Sequence, residues 1–420
     1  MSSAAVTDRS PRRVLDLDAG GVRLLLLPNR DSEILAVRIY VRGGSLHLDD
    51  ESAGADALYA GAARRGTRTF SKERLNAELA RRGIDLGTAV AHDFTAYNLR
   101  CLRRHFDLAW DAFTDVMLDP LLEASEVEVV RAQMLVDIAQ RTDTPDGALV
   151  ERAREHCYVG HPYRYDPHGS TAAIGAMNST TLRAHARRVM TRANLLVAAA
   201  GNLDETDLVR RVRARFGDLP AGAAPGVAPP LAFARGLLVI EPRPLPTQYV
   251  LGEFAAPSLA DSDYHAALLA LSVLRDRFFE EVRTKRNLSY APSASLGHDA
   301  ANLGSIYVTS TDPHAALSVM RTEMRALMET PLPVADLEDK VRVFVTRYHL
   351  QNETLHAQAG FLASHALLAG SWERSREFVQ RLEAQTPADV QQVAQRMLRA
   401  IQYIVLGDPA RVDAAAYVDP

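Results

Sequence analysis

VRLLLLPNRDSEILAVRIYVRGGS (residues 22–45) is the stretch that decides the fold. Residues 22–29 and 34–42 read as two strands around a turn. In the second, Val37, Ile39 and Val41 share one face and Arg38, Tyr40 and Arg42 the other, the alternation of a half-buried antiparallel strand. Working outward, residues 52–65 and 72–82 read as helices, and Leu75 and Leu79 sit four apart on one side of the second. Residues 95–102 (TAYNLRCL) form another strand. A helix over 105–118 lines up Phe106, Trp110, Phe113 and Met117 on one stripe. Ser125 opens a further helix, with Glu128 three residues on as a capping box. After a loop at 160–170, a helix near 178–190 leads to the continuously apolar strand NLLVAAAG (194–201), and a helix follows at 204–216.

The next stretch, rich in Gly, Ala and Pro, suits a linker. Beyond it the order recurs: strands at 236–241 and 247–254, a long helix at 262–285, strands at 289–296 and 303–310, then helices. Two strands, then helices, then more strands in each half predict an α+β protein of two similar domains, 1–216 and 236–420, joined by a linker at 217–235.

The composition of the 420 residues narrows the function. Basic and acidic residues number 48 and 52, a net charge of −4, which gives no reason to expect a nucleic-acid partner. Lys occurs only at 72, 285 and 340, so the basic residues are almost all Arg, a skew of usage rather than a binding patch. There is no P-loop, and the glycines of GGVRLLLL and VRGGS are turn glycines that open no helix. Cys101 and Cys157 cannot build a disulfide framework or a four-cysteine metal site. The start, MSSAAVTDRSPRR, lacks the apolar core of a signal peptide, and no run of 18 apolar residues exists. The expectation is a soluble cytoplasmic protein without membrane association.

Several segments together resemble the pitrilysin/insulinase-type zinc peptidases, including their mitochondrial-processing-peptidase-like bacterial subunits. Residues 22–45 are similar to the opening hairpin of that family, AGADALYAGAARRGT (53–67) to its first helix and the following Gly-Thr, HPYRYDPHGS (161–170) to its His-Pro-Tyr loop, and NLLVAAAGNLD (194–204) to the strand ending the first domain. The resemblance implies two domains, each a mostly antiparallel sheet with helices packed on one face, forming half of a clam-shell. In active members the first helix carries H-x-x-E-H: two His one turn apart ligate a zinc ion, and the Glu acts as general base. Counting back from Gly66-Thr67, those positions are Ala57, Ala60 and Gly61, none of which can ligate a metal or accept a proton. The position of the third ligand, a Glu on a later helix, is Asp137, and an i,i+4 pair with Arg141 is its plain structural explanation. No zinc is therefore expected in this chain. Two polar groups, His47 to Glu51 and His156, His161, Asp166 and His168, offer donors but no fixed helical spacing, and read as turn-capping or solvent-facing residues.

The second half keeps something. FFEEVRTKRNLSYAPS (278–293) resembles the family stretch in which Arg and Tyr hold the substrate backbone, and the matching positions are Arg283 and Tyr290. Arg is a rigid multi-donor group for peptide carbonyls, and the Tyr hydroxyl can serve an oxyanion. Asn287 replaces the usual Gly and tolerates the left-handed turn; Arg286 is close enough to compete for the assignment. The plain explanations are an Arg at a helix C-terminus, paired with Glu280, and a Tyr opening a strand as core. The split between an erased zinc half and a retained substrate half implies a non-catalytic subunit of a heterodimeric metalloendopeptidase. Its homologous partner carries the zinc and the peptide is the substrate. The alternatives are a structural or peptide-holding protein with no peptidase partner, and a self-sufficient enzyme with relocated zinc ligands.

Overall fold

The computed structural model describes residues 13–420. Among the described residues eleven strands form two sheets. The first contains β1 (Leu15–Asp18), β2 (Arg23–Pro28), β3 (Ile34–Arg42), β4 (Asp85–Val90), β5 (Phe94–Leu102) and β6 (Leu195–Gly201), in the order β1-β2-β6-β3-β5-β4. The second contains β7 (Leu237–Pro242), β8 (Gln248–Ala255), β9 (Ser293–Leu296), β10 (Leu303–Ser310) and β11 (Gln402–Gly407), in the order β7-β11-β8-β10-β9.

Set aside the edge strand β1 and the two sheets are wired identically: the first strand pairs in parallel with the last, and every other neighbour is antiparallel. The chain is thus α+β with two similar halves, a duplication that shows in topology although it is too faint in sequence. The β2-β3 pair is not a hydrogen-bonded hairpin, because β6 inserts between them.

One face of each sheet carries a thick helical layer. In the first half, Phe106, Trp110, Phe113 and Met117 are buried against the sheet, as are Leu75 and Leu79. In the second, the helix Tyr264–Phe278 presents Leu269, Leu274 and Phe278 to the core.

The opposite face of each sheet is covered by a single helix lent by the other half. Helix Pro145–Cys157 lays Ala148, Leu149, Ala153 and Cys157 on Leu251, Leu303, Ile404 and Leu406 of the second sheet. Helix Leu355–Leu368 lays Ala359, Leu362, Ala363 and Ala366 on Leu25, Tyr40, Leu196 and Ala198 of the first. This exchange overturns the reading of β3 as half-buried: Tyr40 is 1% exposed. The lent helix lies so close that a methyl group at Gly360 would overlap Arg38 Nη1.

Two local readings also change. The helix at Ala124–Asp143 starts one residue before Ser125, with Glu123 as N-cap and no side-chain cap; Glu128 instead pairs with Arg131. Ser125 sits inside the first turn, where its hydroxyl cannot cap. The long helix expected over 262–285 is α-helical only over Tyr264–Phe278 and then widens into a π turn over Phe279–Thr284.

Candidate functional site

Ala57, Ala60 and Gly61 all lie on the helix Ala55–Ala63. Its entry is fixed by Gly54 at φ +89°, where a Cβ would meet the Gly169 backbone at 2.5 Å, so only glycine fits. Asp56 accepts a hydrogen bond at 2.8 Å from His185 Nε2, and the Tyr59 hydroxyl donates to the Met117 carbonyl at 2.8 Å. Past the helix end, Glu126 holds Lys72 at 2.8 Å and Arg65 at 3.3 Å. This helix is therefore tied on several sides, and Ala60 is 1% exposed.

The residues do not fit a zinc ion. Three of the family's four motif functions fall on methyl groups or a hydrogen, which have no lone pair to offer. At Gly61 the space itself is gone, because an added Cβ would lie 2.7 Å from Val130 Cγ1 on the facing helix. Asp137 is exposed on that facing helix, and its Oδ1 accepts from Gln133 Nε2 at 2.8 Å. The expected pair with Arg141 is absent: Arg141 reaches Asp166 at 3.1 Å instead, a partner brought in by the tertiary fold.

Several side chains of the two polar loops already have protein partners. Asp49 accepts from the Ser52 backbone N–H at 2.9 Å, and His47 Nε2 lies 3.1 Å from the Arg42 carbonyl. His161 uses both ring nitrogens, accepting from Tyr163 N at 3.1 Å and meeting the Pro229 carbonyl at 2.9 Å. Asp166 caps its own turn through the His168 N–H at 2.8 Å. Among the described residues no three His, Cys, Asp or Glu side chains gather so as to hold a metal ion.

The π turn builds a different arrangement. Asn287 adopts φ +52°, and the bonds Asn287 N to Arg283 O at 3.0 Å and Leu288 N to Val282 O at 2.9 Å close the helix end. The chain then doubles back and brings Tyr290 beside Arg283: the guanidinium carbon lies 4.1 Å from the Tyr290 ring centre and 4.8 Å from that of Phe279. Stacking of this kind favours a cation over an aromatic face.

Arg283 does sit in the last turn of the helical run, as its plain explanation has it, but the expected pair with Glu280 and the buried Tyr290 are not found. Tyr290 is 79% exposed and precedes the strand, which starts at Ser293, so it is not core. No carboxylate among the described residues lies within ion-pairing distance of Arg283, since Glu280 leans toward Lys285 at 3.8 Å. Arg286, the competing residue, differs in being paired with Glu281 at 2.5 Å. The half-buried Arg283 guanidinium and the exposed Tyr290 hydroxyl are thus left as donors without a protein acceptor among the described residues. Phe279 is the residue that the sequence reading missed; its spacing of four from Arg283 was the available signal.

Residues 24–165 match the family profile described as insulinase (peptidase family M16), and residues 176–344 match the one described as peptidase M16 inactive domain. Together they span about three quarters of the chain, which belongs to the M16, or insulinase, family of peptidases. An uncharacterized zinc protease of Streptomyces coelicolor is 27% identical over 353 residues, 80% of this chain and 76% of the relative. Another, of Mycobacterium tuberculosis, is 30% identical over 289 residues, 66% and 65% of the two chains. The mitochondrial-processing peptidase subunit beta of Caenorhabditis elegans is 20% identical over 227 residues, 51% and 50% of the two. A Pseudomonas fluorescens structure described as a peptidase M16 inactive domain has a TM-score of 0.85 at 18% identity, covering 94% of this chain and 98% of its own, and so shares the fold.

Proposed function

We propose that this chain is a non-catalytic subunit of a heterodimeric zinc metalloendopeptidase, supplying Arg283 and Tyr290 to a homologous partner that carries the zinc and cleaves short or unfolded peptides. The observation that carries the reading is the contrast between two places. The helix where the family grips its metal offers no donor and is filled at Gly61 by Val130, whereas Arg283 is stacked on two rings and has no ion-pair partner among the described residues. Membership of a family that includes a named subunit of a processing peptidase supports a two-chain arrangement.

In this reading the partner's zinc supplies the polarised water. The tasks of this chain are binding and charge stabilisation. Arg283 donates to backbone carbonyls of the peptide, and its two flanking rings keep the guanidinium from swinging into solvent. The Tyr290 hydroxyl donates to the oxygen of the scissile carbonyl as negative charge develops there, which favours the transition state over bound substrate.

The test is peptidase assay of this chain, the zinc-bearing homologue and their mixture. Only the mixture is expected to cleave. Tyr290→Phe should lower kcat about 10²–10³-fold, the usual cost of losing one oxyanion donor, and Arg283→Ala should raise KM as well. A mixture that stays fully active with both substitutions removes the role assigned to this pair.

A further inference from the structure

A cavity of about 490 Å³ lies where the two halves meet, away from both places described above. Its walls come from the β4–β5 turn, the loop before β10 and four helices of the second half. Leu268 of its lining lies on the helix that runs into the π turn, 15 residues before Arg283, which puts the two roughly 22 Å apart at about 1.5 Å per residue.

Aromatic rings dominate the lining. Tyr348, Phe361 and Phe378 form a mutual cluster with ring centres 5.4 to 5.6 Å apart, and Phe94 faces them from the first sheet. Set among these rings are Asp93 and Asp299. Asp93 accepts from the Tyr163 hydroxyl at 2.5 Å and from the Ala300 N–H at 2.9 Å, which pins it in place. Asp299 has no hydrogen-bond or ion-pair partner among the described residues. Burial, and then the neighbouring Asp93 charge, raises its carboxyl to about 6. The cation at the rim, Arg347, is exposed and pairs with neither aspartate.

A second feature points the same way. His365 lines the cavity and is only 3% exposed. Its Nδ1 lies 2.9 Å from the Phe361 carbonyl, which requires the proton on Nδ1 and leaves Nε2 as an acceptor with no protein donor. An acceptor without a protein donor and an unpaired carboxylate, in a cavity shared with aromatic rings, suit a ligand that brings both donors and positive charge.

We infer that this cavity binds an organic cation, an ammonium or guanidinium group carried on an apolar body, borne either by a small amine or by a peptide. The charged head meets Asp299 and His365 Nε2, and the apolar body packs on Tyr348, Phe361 and Phe378. The site is independent of Arg283 and Tyr290.

The experiment is calorimetric titration of the full-length chain with three probes: 2-phenylethylammonium, its neutral counterpart 2-phenylethanol, and the capped dipeptide acetyl-Phe-Arg-amide. At least one cationic probe should bind at least tenfold more tightly than the alcohol, and whichever cation is tighter identifies the source. Asp299→Asn should weaken cation binding about 10- to 100-fold, the worth of one charge-assisted hydrogen bond, while Arg347→Ala leaves it unchanged or tighter. Unchanged melting of both variants verifies the fold. Equal binding of alcohol and cation, no binding of any probe, or greater loss in Arg347→Ala than in Asp299→Asn would overturn the inference.

Discussion

Gly61→Ala probes the filled motif helix directly. An ordinary carbon–carbon contact is about 3.5–4.0 Å, and the new methyl would start 2.7 Å from Val130 Cγ1. Val130 is 9% exposed, and as a β-branched residue inside a helix it has one strongly preferred χ1, so it cannot swing aside freely. Overpacking of this size costs about 1–3 kcal/mol, against about 0.5–1 kcal/mol gained from replacing a helical glycine. The net expectation is a destabilisation of about 1 kcal/mol. Gly175 is the control, because it is helical and exposed with open space around it, so Gly175→Ala should stabilise by about 0.5–1 kcal/mol. Urea unfolding of Gly61→Ala, Val130→Ala and the double variant closes a cycle in which the two changes should couple favourably by about 1 kcal/mol or more. If Gly61→Ala stabilises as much as the control and the coupling is zero, the two helices are not closely packed and the argument from lost space is wrong.

Other consequences follow from the helix exchange and from the buried histidines. Leu149→Ala, in the helix lent to the second sheet, should cost about 2–5 kcal/mol by the cavity rule, and the loss should appear in hydrogen exchange of β8 and β11 (second half) as well as in the first half; protection lost only in the first half would refute the exchange. Residues 13–216 and 236–420 expressed separately should each expose one apolar sheet face and stay soluble only when co-expressed, which sedimentation of the single halves checks. His265 and His365 are pushed down to about 4 by burial. Between pH 4 and 6.5 the unfolded chain therefore binds protons that the folded chain does not, so stability falls as pH drops through that window, by up to about 3 kcal/mol per pH unit for the pair. A urea midpoint that is flat between pH 7 and pH 5 would contradict this.

Much of the fold was legible because its signals are local. The stripe Phe106–Met117, the β3 segment and the linker composition need only periodicity and turn chemistry to be read. What the sequence hid was non-local. Tyr40 looks like a surface residue of an alternating strand until a helix from more than 300 residues away covers it. Asp137 looked paired with Arg141 because helical spacing favours it, but Asp166 from a distant loop competes successfully for the guanidinium. The same division holds at the candidate site. The degenerate motif at Ala57, Ala60 and Gly61 is a matter of residue identity, whereas the stacking of Arg283 between Phe279 and Tyr290 depends on a π turn that single-sequence reading treats as continuous helix.

The proposed function requires that hydrolytic chemistry come from a second chain. Its most direct measurement is a peptidase assay of the purified chain alone, run with metal analysis of the same sample. The expected result is no cleavage above background and far less than one zinc per chain, with activity appearing only on addition of the zinc-bearing homologue. Cleavage by the isolated chain that is abolished by a chelator and restored by zinc would contradict it.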